Sequence, residues 1–327
     1  MKARNKILTL LFLLTAITVA VSLFLFPGLI RAPITEKWFN FVNFSQVENA
    51  KILLVGDIMF DRGIRYYAEK NGGNDFIFSK IHDRLISFDT VVGNLEGPIT
   101  DNPSTSISTK PGEPDNYFFT FDPSWTKTLF DNNIRIVNLG NNHILNFGRD
   151  GLQSTKEYLD QAKVGYFGAL DYPKSVSREI QGIKMTFVNY NEFAALDEVI
   201  NKKSTLEEIQ KAKGFSDIII VYCHWGVEYA DSPTEQQINL AHEFIDEGAD
   251  LVAGSHPHVI QPLEIYKGKR IYYSLGNFIF DQYFSKETEN GLGVVVSIEP
   301  NSKKLNFEEL EFYLQPNGQT ILVEKNK

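Results

Sequence analysis

Five short apolar runs in this 327-residue chain each give way, within a few positions, to glycine and to side chains that ligate metals or move protons. Ile52-Leu53-Leu54-Val55 leads into Gly56-Asp57, and Thr90-Val91-Val92 into Gly93-Asn94-Leu95-Glu96-Gly97. Ile134–Val137 leads into Asn138-Leu139-Gly140-Asn141-Asn142-His143. Ile218–Tyr222 leads into Cys223-His224-Trp225-Gly226, and Leu251-Val252-Ala253 into Gly254-Ser255-His256-Pro257-His258. Unbroken apolar runs of this length suit strands buried on both faces, as in a sheet covered by helices. In an open α/β sheet the carboxyl ends of the strands share one edge, and sites form there. The pattern therefore predicts an α/β fold that gathers these distant residues at one sheet edge.

The rest of the chain fits that reading. Met185–Val188 is a further apolar run. Between the runs lie helical stretches at Ile64–Lys70, Pro123–Asn132, Gly151–Ala162 and Thr234–Glu247. The last opens on Ser232-Pro233-Thr234-Glu235, an N-capping composition, and stops before Gly248. Beyond it, Ile265–Tyr273, Leu292–Glu299, Leu305–Leu314 and Gln319–Glu324 read as strands without intervening helices. Tight turns are signalled at Tyr266-Lys267-Gly268-Lys269 and Pro316-Asn317-Gly318. A βα-rich part thus leads into a mostly β tail. The Ser-, Thr- and Pro-rich stretch Asn102–Asp115 is expected to be a mobile loop.

The residue types at the strand ends suit a transition metal. Imidazoles with carboxylates favour zinc, manganese or iron, whereas calcium and magnesium prefer oxygen alone. Four of the six histidines stand at these ends. His256 and His258 are two apart, so an extended backbone would turn both to one side. Asn142 and His143 are adjacent and should diverge, Asn142 ligating through its side-chain oxygen and His143 facing substrate as an acid or positive donor. Simpler roles compete with these. Asp57 alone could be a helix N-cap, and His82 and His242 read as structural. Cys223 beside His224 could be a nucleophile, but strand neighbours point to opposite faces, which favours a core cysteine.

Composition narrows the function. A formal net charge of −9 and a pI near 5.3 argue against a nucleic-acid binder, which would normally show a basic face. One cysteine cannot form an internal disulfide. At the N-terminus Lys2, Arg4 and Lys6 precede an uncharged run from Ile7 to Phe26, closed by Pro27-Gly28. Twenty residues at about 1.5 Å each span roughly the 30 Å of a bilayer core. The basic flank predicts a single-pass anchor in the cell membrane, N-terminus cytoplasmic and main domain outside. A cleaved signal peptide is the competing reading, with Ala20-Val21-Ser22 as a site, although the apolar run continues past it. The expected organisation is 1–28 basic tip and transmembrane helix, 29–48 connector, and 49–327 the extracytoplasmic domain.

Six pieces in fixed order carry a family resemblance. They are Gly56-Asp57-Ile58-Met59, Asn94-Leu95-Glu96, Asn141-Asn142-His143, His224-Trp225-Gly226-Val227-Glu228, Gly254-Ser255-His256-Pro257-His258 and Ser274-Leu275-Gly276-Asn277-Phe278. In them the chain resembles the CapA family of capsule and poly-γ-glutamate synthesis proteins, related to calcineurin-like metallophosphoesterases. The resemblance implies a four-layer α/β/β/α sandwich with one or two metal ions. It implies Asp57 and His258 on a first metal, Glu96 bridging, and Asn142, His224 and His256 on a second. His143 would assist the leaving group with Glu228 nearby, while Arg62 as an anion clamp, Asn94 and Asn277 would meet substrate. It further implies work on an anionic envelope polymer or its precursor, beside membrane-embedded synthase or export proteins. Two departures stand out: Met59 occupies a place where the phosphoesterases usually have histidine, and Asn146 one where the family commonly has aspartate. Three readings follow: a metal-dependent hydrolase or transferase, a non-catalytic accessory subunit of the synthesis complex, or a plain phosphoesterase.

Overall fold

The expected strands form, but they divide between two sheets. The computed structural model describes residues 48–107, 109–110, 112–169, 173–194 and 198–324. The expected membrane anchor and all but the last residue of the connector lie outside the described residues. Among the described residues no helix is long and apolar enough to cross a membrane.

In chain order the strands are β1 (Ala50–Ile58), β2 (Thr90–Leu95), β3 (Ile134–Asn138), β4 (Gly165–Phe167), β5 (Ser175–Ile180), β6 (Ile183–Asn191) and β7 (Ile218–His224). Then come β8 (Leu251–Ser255), β9 (Leu263–Tyr266), β10 (Lys269–Tyr272), β11 (Asn277–Ile279), β12 (Asn290–Ile298), β13 (Leu305–Leu314) and β14 (Thr320–Leu322). The first sheet has the order β14-β13-β12-β1-β2-β3-β4, with β11 paired to β1. Its β1–β4 half is parallel, while β12, β13 and β14 add antiparallel on the other side of β1. The second sheet has the order β5-β6-β7-β8-β10-β9, parallel from β6 to β10 with an antiparallel strand at each edge.

Side-chain alternation builds three cores from these sheets. Successive residues of a strand face opposite ways, so Ile52 and Leu54 of β1 point one way while Leu53 and Val55 point the other. The first pair joins Val92, Ile136, Phe187, Ile220 and Tyr222 in a core between the sheets. The second pair packs with Ile64, Leu129, Leu152 and Leu159 on the outer side. Those residues come from helices α1 (Arg62–Lys70), α2 (Trp125–Asp131) and α3 (Gly148–Ala162). On the far face of the second sheet, Val188, Val221 and Val252 meet Ile209, Leu240 and Phe244 from α4 (Glu198–Lys213) and α5 (Glu235–Glu247). The layers therefore run helix, sheet, sheet, helix. Burying each such aliphatic or aromatic side chain contributes about 1.5–3 kcal/mol.

The cap expected for the last helix is present. The Thr234 hydroxyl accepts from Gln237 N at 3.2 Å, and Gln237 Oε1 accepts from Thr234 N at 2.9 Å, worth about 1 kcal/mol. The turn signalled at Tyr266-Lys267-Gly268-Lys269 forms inside Ile265–Tyr273 and divides it into the hairpin β9–β10. In the Asn102–Asp115 stretch, Ser104 Oγ donates to Asp61 Oδ1 at 2.6 Å and Thr109 Oγ1 accepts from Asn116 Nδ2 at 2.9 Å.

Candidate metal centre

The strand ends of both sheets converge, so the site straddles two sheets instead of lying on one edge. Close backbone approach sets this up. A Cβ on Gly56 would stand 1.8 Å from Gly276 O, and one on Gly254 2.0 Å from Tyr273 O. Only glycine fits at these two crossings.

Beyond Gly56, the buried Asp57 accepts from Asn94 Nδ2 at 2.8 Å through Oδ1 and from the backbone N of His256 at 3.0 Å through Oδ2. His258 Nδ1 stands 3.4 Å from Asp57 Oδ2. Just past the end of β2, Glu96 is fully buried. Its Oε1 lies 3.7 Å from His224 Nε2, 3.8 Å from His258 Nε2 and 4.0 Å from His143 Nε2. Among the described residues, neither oxygen of Glu96 has a hydrogen-bond partner, nor has His256 Nδ1. His224 Nε2 is 2.9 Å from Asn142 Oδ1. On its other edge, His224 Nδ1 is 3.1 Å from Ser255 Oγ, whose proton goes to Cys223 O. A tautomer with the proton on Nδ1 toward Ser255 would leave Nε2, beside Asn142 Oδ1, free for a cation that both atoms could share.

Among the described residues three groups of potential ligand atoms result, each within 4.8 Å: Asp57–Glu96–His258, Glu96–His224–His256 and Glu228–His256–His258. A buried carboxylate with both oxygens unpaired is costly. The gaps between Glu96 and the imidazoles are shorter than two metal–ligand bonds of about 2.1 Å. The residues therefore fit a divalent ion, and the mixed imidazole and carboxylate donors suit zinc, manganese or iron.

Electrostatics follow the same geometry. Burial, and then the charge of Asp57, push the Glu96 carboxyl well above its ordinary range. Burial and the neighbouring His258 lower His256 to about 3, and burial lowers His143 to about 4. Burial and the flanking His256 and His258 carry His224 well down. His258 goes the other way: burial opposes its charge, but Glu96 and Asp57 outweigh burial and hold it up at about 9.

Several expectations need correction. His256 and His258 are not on extended backbone; their φ angles are +96° and +59°. They converge because the chain turns left-handed after β8, a conformation costing about 1–3 kcal/mol per residue. Hydrogen bonds from His256 N to Asp57 and from Asn277 Nδ2 to His258 O (3.3 Å) help to hold it. Asn94 and Asn277 are not substrate contacts, since both are fully buried with their amides committed. Asn94 Oδ1 takes bonds from Asn138 and Asn141, and Asn277 Oδ1 meets His258 Nδ1 at 2.9 Å. They orient ligand residues instead. Arg62 is no open anion clamp, because its Nη2 meets Asp281 Oδ1 at 2.5 Å and its Nη1 bonds Asn116. Glu228 is exposed beside His256 and His258. Cys223 is a core residue, its thiol raised by burial. His82 and His242 are satisfied by Asn132 and Glu264.

Other parts of the site were not foreseen. Ser255 orients His224, and Phe193 lays its ring 4.2 Å from that of His256. Asn189 donates to Asn138 Oδ1 at 2.9 Å. The signal for Asn189 was present: Asn189-Tyr190-Asn191 closes the apolar run Met185–Val188 as amides close the others.

Residues 51–282 match the model of a family described as bacterial capsule synthesis protein PGA_cap. The chain belongs to that family. The PGA biosynthesis protein CapA of Bacillus subtilis (strain 168) is 32% identical over 254 residues, covering 73% of this chain and 65% of that protein. The capsule biosynthesis protein CapA of Bacillus anthracis is 28% identical over 297 residues, covering 84% and 67%. This PGA_cap chain thus spans about two thirds of the length of these relatives. Among solved structures, TT1561 of Thermus thermophilus aligns with a TM-score of 0.44 at 13% identity, over 80% of this chain and 98% of that one. Every candidate ligand lies inside the PGA_cap segment. So do the two departures. Met59 is buried in the outer core, its Sδ 2.9 Å from the backbone N of Asp61. Asn146 Oδ1 stands 3.2 Å from His143 Nδ1 and accepts from Phe119 N at 2.9 Å, without bringing a negative charge.

Proposed function

We propose that this chain serves the making or export of an anionic cell-envelope polymer, of the capsule or poly-γ-glutamate kind, through a metal-dependent hydrolase or transferase centre. The observation that carries the chemistry is Glu96: a fully buried carboxylate, unpaired at both oxygens, among Asp57 and four imidazoles. The helix–sheet–sheet–helix layering supports a metallophosphoesterase-type reading of the fold. Asp57, Glu96 and His258 would hold one ion, and Glu96, Asn142, His224 and His256 a second. Such an ion, when bound, supplies polarisation of a phosphoryl or carbonyl group and activation of a water. His143, its Nδ1 set by Asn146, keeps Nε2 on the Glu96 side as the group that would exchange a proton with the leaving group. An N-terminal membrane span would keep the domain outside the cell, beside membrane-embedded synthase or export partners.

Elemental analysis of the purified chain beside a His256→Ala/His258→Ala variant tests this. Near-stoichiometric manganese, zinc or iron is expected in the parent and none in the variant. Turnover of phosphodiesters or γ-glutamyl amides should vanish with the metal. A parent chain that takes up no metal on loading would sink the reading.

A second reading, a non-catalytic accessory subunit, is favoured by one observation. His143 is held neutral by burial, and the partner at its Nδ1 is an amide. A metal-loaded chain inactive on both substrate classes would support that reading.

A further inference from the structure

A chain of three buried asparagines joins the two sheets beneath the metal centre, and its amides all run one way. Asn189, near the end of β6, donates through Nδ2 to Asn138 Oδ1 at 2.9 Å. Asn138, the last residue of β3, donates to Asn94 Oδ1 at 2.9 Å. Asn94, in β2, donates to Asp57 Oδ1 at 2.8 Å. Backbone groups fix the sense of the central amide. Asn138 Oδ1 also accepts from Gly140 N at 3.1 Å, and its Nδ2 also donates to Gly140 O at 3.2 Å, so it cannot turn over. At the end of the chain the ionised Asp57 can only accept. The room is cut to fit, since a Cβ on Gly140 would stand 2.4 Å from Asn189 Nδ2.

Amides bonded head to tail polarise one another, because a bond accepted at the carbonyl strengthens the N–H of the same group. The effect accumulates toward Asp57, where the last bond meets a charge and is the strongest of the three. Asn138 and Asn189 lie outside the six pieces of sequence that carry the family resemblance. We propose that Asn189 is a positioning residue for Asp57: from the second sheet, through Asn138 and Asn94, it sets the bond that aims this carboxylate at the ion. Packing alone would give Asn189 no particular claim on Asp57, since loosening β6 at any buried side chain would then do the same. The chain of bonds needs no metal; only its consequence for an ion rests on the proposed function.

Two readouts on the full chain test this. The first is competition titration with cobalt(II), followed by its visible absorption. Asn189→Leu, which keeps the shape and removes the donor, should weaken cobalt binding about three- to tenfold, less than loss of a direct outer partner of a ligand, and shift the absorption bands. Val188→Ala, which loosens β6 on its other face, should do neither. Asn94→Ala/Asn189→Leu should bind no more weakly than Asn94→Ala alone, because the distant residue acts through the nearer one. Asn189→Ala carries the same expectations if Asn189→Leu folds poorly. The second readout is the side-chain amide NMR signal of Asn94 in the metal-free chain labelled at asparagine, identified by its loss in Asn94→Ala. It should move in Asn189→Leu and stay in Val188→Ala. An unmoved Asn94 signal overturns the proposal, as do additive losses in the double variant or equal effects of Val188→Ala. A parent chain that binds no cobalt, yet whose Asn94 signal moves with Asn189, fails only the metal centre.

Discussion

The two sheets bring different chemistry to one site. The first, around β1 and β2, delivers oxygen: Asp57 and Glu96, with Asn142 from the turn after β3. The second delivers nitrogen, His224 at the end of β7 and His256 and His258 after β8. Each half is unfavourable alone. Two buried carboxylates with oxygens within 4.8 Å repel one another and lift Glu96, while the clustered imidazoles help to lower His224 and His256. Opposed across the interface, they become mutual counter-charges and a mixed donor set. The Tyr222 hydroxyl donates to Val55 O, tying the sheets together just beneath the site. Such a centre therefore depends on sheet docking, whereas a site on one sheet edge would survive it.

The largest effect should come from Glu96, the oxygen donor shared by two of the groups. Glu96→Gln should abolish metal uptake, read by elemental analysis, because both groups lose their shared carboxylate donor. Retention of metal by Glu96→Gln would break the division between the sheets. A smaller effect is expected from residues that only orient donors. Ser255→Ala beside His224 and Asn94→Ala beside Asp57 should each cost about 10–100-fold in metal affinity by competition titration. If only one of them matters, one sheet holds the ion alone.

The gentlest test is the pH profile of the metal-free chain. His256 and His143, ordinarily near 6.5, are held down at about 3 and about 4, so stability is lost as pH falls below 6.5. His258 is held up at about 9, so the stability it contributes is present below 6.5 and lost as pH rises through 9. Glu96, raised, partly offsets the acid limb because its protonated form is the one that burial favours. Melting temperature should thus peak near neutral or slightly acid pH and fall by several degrees on either side. A flat alkaline limb would show that the two sheets do not pair their charges across the interface.

Much of this was legible from the residues, for identifiable reasons. The strand ends at Asp57, Glu96, His143, His224 and His256 follow from apolar runs meeting polar clusters. The sharing of strands between two sheets does not, because a β-branched run records burial on both faces and not which strand lies beside it. α4 escaped because its buried face is Asn201, Thr205, Ile209 and Ala212, correct in period but half polar. β5, at a sheet edge, carries the polar run Ser175–Ile180 and no apolar signal. The left-handed turn at His256 and His258 had no marker, since neither is glycine; tertiary hydrogen bonds impose it. Asn94 and Asn277 were recognised as belonging to the site but assigned the wrong neighbours, because spacing does not tell a side chain facing substrate from one facing a ligand.

Every candidate donor lies between residues 57 and 258, yet β1, which carries Asp57, takes its antiparallel neighbour from residues 290–298. A fragment ending at 282 would carry the whole ligand inventory and lack β12, β13 and β14, leaving one flank of β1 bare along Ala50–Leu54. Possessing the motif and possessing the site are thus separable by length alone: a shortened chain could be spelled correctly for metal and still have no scaffold on which to hold it.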